Sequence, residues 1–257
     1  MHISKVRPTK RGGFHRKGNM FGLGTVINVA LIIAGSLIGL AFRRSMKDNL
    51  KQTLMMVSGI IVLLLGMSGA MQFMLVIVNG TIQTSGPLLM IISMVAGAVI
   101  GEIIDFNRLI TMLGDWVKAR TGNSGDPQFT HAFITASLTF TVGAMGVLGS
   151  IQDGLTGNYQ TLLLKGILDG IIVMVMASSM GKGALFSFFP VGVTQWIITA
   201  MAHVAAPLMT QSAIDNLSYV GSILIFCVGI DLIWPGKIRI ANLLPAIFVA
   251  MGLTFFL

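Results

Sequence analysis

The chain has 257 residues, of which 54% are hydrophobic and only 10% charged, where soluble globular chains carry about 25% charged residues. So little charge cannot clothe a water-exposed surface, and a mean hydropathy of +0.85 with 31 glycines and 18 methionines points to a chain solvated mainly by lipid. The net charge of +8 is unevenly placed: six of the 17 Lys and Arg (Lys5, Arg7, Lys10, Arg11, Arg16 and Lys17) lie in the first 19 residues, and from Met20 onward 11 basic residues face 9 acidic ones.

A near-neutral body with no basic stripe excludes nucleic-acid binding. Cys227 is the single cysteine, which excludes a disulfide framework and a CxxC metal centre. No cofactor is expected.

A spanning helix needs about 20 apolar residues. Short polar breaks divide the body into eight such runs, 21 to 42, 53 to 79, 87 to 104, 129 to 151, 159 to 180, 185 to 208, 217 to 234 and 240 to 257. The expected fold is an all-α polytopic transmembrane bundle of about eight spans, with seven as the alternative count. No strand-like alternation competes. The second run is long and holds Ser68, Gly69 and Gln72, which predicts a tilt or kink; the sixth holds Pro190, Gly192 and Pro207, which predicts an interrupted helix. Residues 1–19 form a basic leader, read as unstructured or as a start-site extension ahead of Met20, and residues 20–257 as one transmembrane domain.

Orientation follows from Lys and Arg in short loops, which stay cytoplasmic. Arg43, Arg44, Lys47, Lys51, Arg108, Lys118, Arg120, Lys182, Lys237 and Arg239 all fall in alternate loops, and the intervening loops near 80 to 86, 152 to 158 and 209 to 216 have none. The body is therefore expected to start outside at Met20. The leader opposes this, either as an extension foreign to the body or as an anchor that holds the N-terminus inside.

Residues 105 to 122 place Phe106, Leu109, Ile110, Leu113, Trp116 and Val117 on one helical face among Arg108, Asp115, Lys118 and Arg120. This predicts an amphipathic helix on the cytoplasmic membrane surface or capping the bundle. The partial matches of AGSLIG (34 to 39) with AGAVIG (96 to 101) and of VSGIIVLLLGM (57 to 67) with VGSILIFCVGI (220 to 230) fit no single duplication and read as shared composition. The spacings Gly35-x3-Gly39, Gly97-x3-Gly101 and Gly166-x3-Gly170 are faces for close helix contact, within one chain or between copies in a homo-oligomer.

An ionisable group at bilayer depth costs a few kcal/mol and needs a partner, a wet cavity or a task. Asp169 lies near the middle of the fifth run, and Lys165 precedes it by four residues, on the same helical face. The pair reads as an ion or proton relay, or as an intrahelical ion pair that only packs. His131, Thr135 and Thr139, followed by Gly143, Gly146 and Gly149, give the fourth run a polar face that ends at Gln152 and Asp153; it can line a hydrated path or receive a neighbouring helix. Glu102 and Asp105 sit one turn apart at the inner end of the third run, as a cation-attracting mouth or as partners of Arg108. Gln195, beside Pro190 and Gly192, is the best site candidate of the sixth run.

The chain has no HExxH, GxSxG or Walker loop, and SMGKG (179 to 183) lacks the strand-loop-helix setting of a phosphate cradle. An enzyme is not expected; a membrane hydrolase would have to pair Asp169 with the distant Asp231.

At FITASLTFTVGAMGVLGSIQDGL (133 to 155), KGILDG (165 to 170) and ASSMGKG (177 to 183) the sequence resembles the domain of unknown function 554 family of bacterial multispan membrane proteins. The resemblance runs from Met20 to the C-terminus; the leader departs from it. It implies an inner-membrane location and supplies no substrate or catalytic residue. The expectation drawn from the residues is transport of a small solute or ion, with Asp169, Lys165, Thr139, Thr135, His131, Gln152, Asp153, Gln195 and Glu102 along the pathway. Its rivals are a membrane scaffold or signalling partner acting through the segment around Trp116, and the hydrolase.

Overall fold

Within lipid no water can satisfy backbone N–H and C=O groups, so uncharged apolar runs close their hydrogen bonds internally as helices. The computed structural model describes residues 21–208 and 210–255; the leader lies outside them. Among the described residues six helical segments are long and apolar enough to cross a membrane, and a seventh forms if one bent pair counts as a single span. In chain order the helices are α1 (Leu23–Arg43), α2 (Asp48–Met74), α3 (Pro87–Ile104), α4 (Phe106–Arg120), α5 (Phe129–Thr141), α6 (Ala144–Thr156), α7 (Gln160–Met180), α8 (Lys182–Leu185), α9 (Phe188–Ala200), α10 (Ala202–Ala205), α11 (Gln211–Ile233) and α12 (Pro245–Leu253). The eighth expected run is too short to span, because it divides into the 3-10 turn Ile240–Leu243 and the nine-residue α12.

Two further expectations are corrected. The second run does not stay helical to residue 79: α2 ends at Met74, and Leu75–Val78 pairs antiparallel with Thr81–Thr84 as a hairpin. The cause is local. Asn79 and Gly80 both take positive φ (51° and 75°), the Asn-Gly geometry of a two-residue hairpin turn, and the flanking residues are largely β-branched.

The second correction concerns interruptions. The sixth run is interrupted as expected, but toward Pro207 rather than at Pro190: α9 ends at Ala200, and the short α10 and the 3-10 turn Ala206–Leu208 follow; the fourth run, expected unbroken, is broken as well. Pro190 sits in the first turn of α9, where its missing N–H removes no intrahelical bond. In the fourth run α5 stops at Thr141, α6 starts at Ala144, and the chain bends by 61° between them. Gly143, at φ 157° and ψ 145°, occupies a backbone region essentially restricted to glycine.

Helix directions alternate as the loop charges require. On α1 and α7 rising numbers meet rising numbers (Gly24 near Leu162, Gly35 near Gly170, Gly39 near Met174), so these helices run parallel. On α2 and α11 they meet falling numbers (Gly59 near Ile233, Gly66 near Phe226), and α3 meets the α12 region likewise (Gly97 near Ala246, Gly101 near Asn242). A Cβ at Gly35, Gly39 or Gly101 would collide with the facing backbone carbonyl, so glycine permits backbone-to-backbone contact there. All three Gly-x3-Gly faces make such contacts within the chain.

Of their most apolar stretches, α7 and α11 bury half, whereas α2 and α3 bury 22%. The first two are central, and the others turn Ile60, Leu64, Ile91, Val95 and Val99 outward, as lipid-facing helices do. Helix α4 uses its apolar residues on two sides. Gly114 and Val117 are buried against Thr130 and Phe133 of α5, while Leu109, Met112, Leu113 and Trp116 remain outside. It therefore caps the bundle and presents an apolar strip at once.

Candidate functional site

The break in the fourth run sets the site. Each new helix end leaves backbone groups without intrahelical partners, and at membrane depth such ends are tolerated where protein or a polar cavity meets them. A cavity of about 400 Å³ lies there, lined by Thr139, Val142 and Gly143 at the break, by Lys165 and Asp169 of α7, by Gln72 of α2, and by Ser218 and Ser222 of α11.

Lys165 and Asp169 are buried, at 7% and 6% exposure, and the Lys165 ammonium donates to the Asp169 carboxylate. One helical turn separates them, so a single helix supplies both charges and neutralises them where an isolated charge would be expensive. The Lys165 stem runs along Gly146 of α6, where an added Cβ would stand 3.3 Å from its Cε. The amide of Gln195 on α9 approaches the same glycine, 4.0 Å from that position.

Around the pair lie polar groups with no hydrogen-bond partner among the described residues. Both amide atoms of Gln195 and the Thr141 hydroxyl are buried and unpaired. Thr141 and Gln195 share a small second cavity beside Gly146, and the Asn28 side chain faces Asp169 from α1. Buried polar atoms normally find partners, and an unpaired one costs about 1 to 3 kcal/mol. Several around one charged pair make a surface suited to water, an ion or a polar solute. The hydroxyls of Thr139, Ser218 and Ser222 donate to carbonyls in their own helices, at 2.8, 2.5 and 2.6 Å, which leaves oxygen lone pairs as acceptors.

The remaining sequence candidates divide between other places. His131 and Thr135 line a separate cavity of about 360 Å³ with Asp231 and Arg239. His131 Nε2 lies 3.2 Å from Asp231 Oδ2, and the other Asp231 oxygen accepts from the Gly236 N–H at 2.8 Å. Thr139 and Thr135, one turn apart, thus belong to two cavities along the same helix. Asp153 accepts the Gly24 N–H at 3.0 Å, a carboxylate at the N-terminus of α1, where the helix dipole favours it. Gln152 accepts from the Thr161 hydroxyl at 2.7 Å. Glu102 forms an exposed ion pair with Arg239 at 3.1 Å, and Asp105 accepts the backbone N–H of Arg108 rather than its guanidinium. Asp169 and Asp231 line different cavities.

Asn28, Gln72, Thr141, Ser218 and Ser222 join the site without having been singled out as its members. Asn28 and Gln72 stand out as polar residues inside long apolar runs, but only the packing of α1 and α2 against α7 and α11 shows what they face. Among the described residues no three His, Cys, Asp or Glu side chains converge as a metal site.

Residues 23–255 match the family described as "Protein of unknown function (DUF554)". The chain is 30% identical over 230 residues to the uncharacterized membrane protein YdfK of Bacillus subtilis (strain 168), covering 88% of this chain and 93% of that protein. It is 22% identical over 236 residues to the uncharacterized protein YqgA of Escherichia coli (strain K12), covering 90% and 96%. No solved structure matches it. A match over nearly the whole body, joined to a fold of long apolar helices, makes this a multispan membrane protein that belongs to the DUF554 family.

Proposed function

We propose that the protein moves a small polar solute or ion across a bacterial inner membrane through the cavity at the broken α5–α6 helix. The reading rests on one observation. A buried Lys165–Asp169 pair lines a cavity at a helix break, and the unpaired amide of Gln195 stands beside it. Dry packing would leave that amide at full desolvation cost, whereas a passing solute or ion with its water supplies its partners.

In this reading the pair is the solute's binding point, and a charged solute enters by competing for one member. The His131–Asp231 cavity is the approach from one end. The Lys and Arg loops gather at that end, which faces the cytoplasm by the positive-inside rule, with the Met20 end outside.

The test is flux into proteoliposomes, recorded with a panel of monovalent cations, monovalent anions and zwitterionic amino acids. One class should give saturable uptake that Asp169→Asn and Lys165→Met each abolish while the protein still reconstitutes. Flux equal to empty liposomes for every class, or full flux in both variants, overturns the proposal.

A second reading draws on Trp116, which is 53% exposed beside Leu113 on α4: a scaffold that holds another membrane protein through this strip. It predicts that Asp169→Asn is silent in the cell while Leu113→Asp and Trp116→Ala abolish the phenotype.

A further inference from the structure

We propose that a further cavity, at the basic end of the bundle, binds the phosphate-bearing headgroup of an anionic phospholipid. The cavity measures about 930 Å³ and is lined by Arg43, Arg44, Lys51 and Lys182, with Asp126 as the one acidic lining residue. These cations come from three segments of the chain, the end of α1, the first turn of α2 and the start of α8. Topology needs positive charge only in each loop separately. Convergence on one cavity is an additional property of the fold.

Each charge stands in a definite state. Arg43 is fixed in place, donating to the carbonyl oxygens of Ser178 and Ser179 at the end of α7, where a cation offsets the helix dipole. A guanidinium has five N–H donors, so Arg43 keeps others for a ligand. Lys51 pairs with Asp48 at 2.9 Å across an exposed first turn, a contact worth little against a phosphate. Arg44 and Lys182 are exposed and form no ion pair among the described residues. Asp126 accepts the Gln128 N–H at 3.0 Å, which holds it to its own turn.

The remaining wall decides between a lipid and a free anion. Leu37, Leu40 and Ala41 of α1 line the same cavity, and Leu37 is 54% exposed. The cationic rim thus continues into an apolar surface on a membrane-spanning helix. A soluble phosphate gains nothing from that wall, whereas a phosphodiester lipid places its headgroup on the rim and its acyl chains against the leucines.

Native mass spectrometry of the full chain in neutral detergent tests this, titrated separately with phosphatidylglycerol, phosphatidylcholine and inorganic phosphate. Phosphatidylglycerol should bind about tenfold or more tightly than phosphatidylcholine, and Arg44→Gln with Lys182→Gln should weaken it about thirtyfold, as expected for two cations near a membrane surface. Neither residue holds another element in place; if the double variant elutes aggregated, each single variant is titrated instead and should lose about half of that effect on a logarithmic scale. Equal binding of the two lipids, or unchanged phosphatidylglycerol binding in the variants, overturns the proposal. Saturation by inorganic phosphate that phosphatidylglycerol does not displace assigns the cavity to a soluble anion and overturns it also.

Discussion

Lys165 and Asp169 stand one helical turn apart on α7 and are bonded to each other inside the bundle, so a single helix carries a full ion pair to the centre of the protein. Because each charge is the other's chief compensation, removing one should be worse than removing both. Lys165→Leu or Asp169→Leu alone leaves a buried unpaired charge, at a cost of about 3 to 5 kcal/mol, whereas the double variant should lose much less. Thermal unfolding in detergent, followed by intrinsic fluorescence, should rank the double variant above both single ones; equal losses in all three would show that the two groups do not depend on each other.

Helices α1 and α7 touch through backbone. A Cβ at Gly39 would collide with the carbonyl of Met174, whereas one at Gly252 of α12 would meet nothing within 4 Å. Gly39→Ala should therefore lower the melting temperature by several degrees, while Gly252→Ala should leave it level or raise it, a helix-propensity gain of about 0.5 to 1 kcal/mol. The same melting experiment serves, with the two alanines compared directly.

Asp153 supplies an acceptor to the first turn of α1 from a helix distant in sequence. Asp153→Ala should cost about 1 to 2 kcal/mol by leaving the Gly24 N–H unpaired, and Asp153→Asn, which keeps an oxygen, should recover most of it. Amide exchange at Gly24 and its neighbours, measured by mass spectrometry, should rise in the alanine variant alone.

Gly143 is held by its backbone rather than by crowding, since beyond its chain neighbours no atom of the described residues lies within 4 Å of an added Cβ at φ 157°. Gly143→Ala should cost about 1 to 3 kcal/mol and relieve the strain by redrawing the break, so proteoliposome flux should fall more than thermal stability. An alanine variant with full flux would detach the break from the pathway.

Trp116 is expected to sit at the membrane surface, with the Arg120 guanidinium 5.8 Å from its ring centre. With Trp196 and Trp234 replaced by Phe, its fluorescence in liposomes should be quenched more by lipids brominated near the headgroup than by lipids brominated near the chain ends. The reverse order would place α4 in the hydrocarbon, and no quenching would place it in water.

The sequence by itself determined that this is a multispan helical membrane protein, because uncharged runs near 20 residues have few other ways to bury their backbone in lipid. The third run coincides with α3, from Pro87 to Ile104, and the alternating loop charges foretold the relative directions of the paired helices. The hairpin was missed: its Asn79-Gly80 turn and β-branched flanks are in the sequence, but apolar strand and apolar helix look alike when a run is judged by hydropathy alone. The Lys165–Asp169 pair was readable because four-residue spacing is local.

Only the tertiary structure decided which polar residues share a space. Spacing along one helix fixes a face, but what that face meets depends on the crossing of helices far apart in sequence. So Asn28 and Gln195 come to the pair, Asp153 leaves it to hold the start of α1, His131 joins Asp231, and Arg43, Arg44 and Lys182 gather around one basic cavity. The place of the break followed the same rule: Pro190 falls where a helix tolerates proline, and Gly143 has the freedom to turn the chain beside a polar interior.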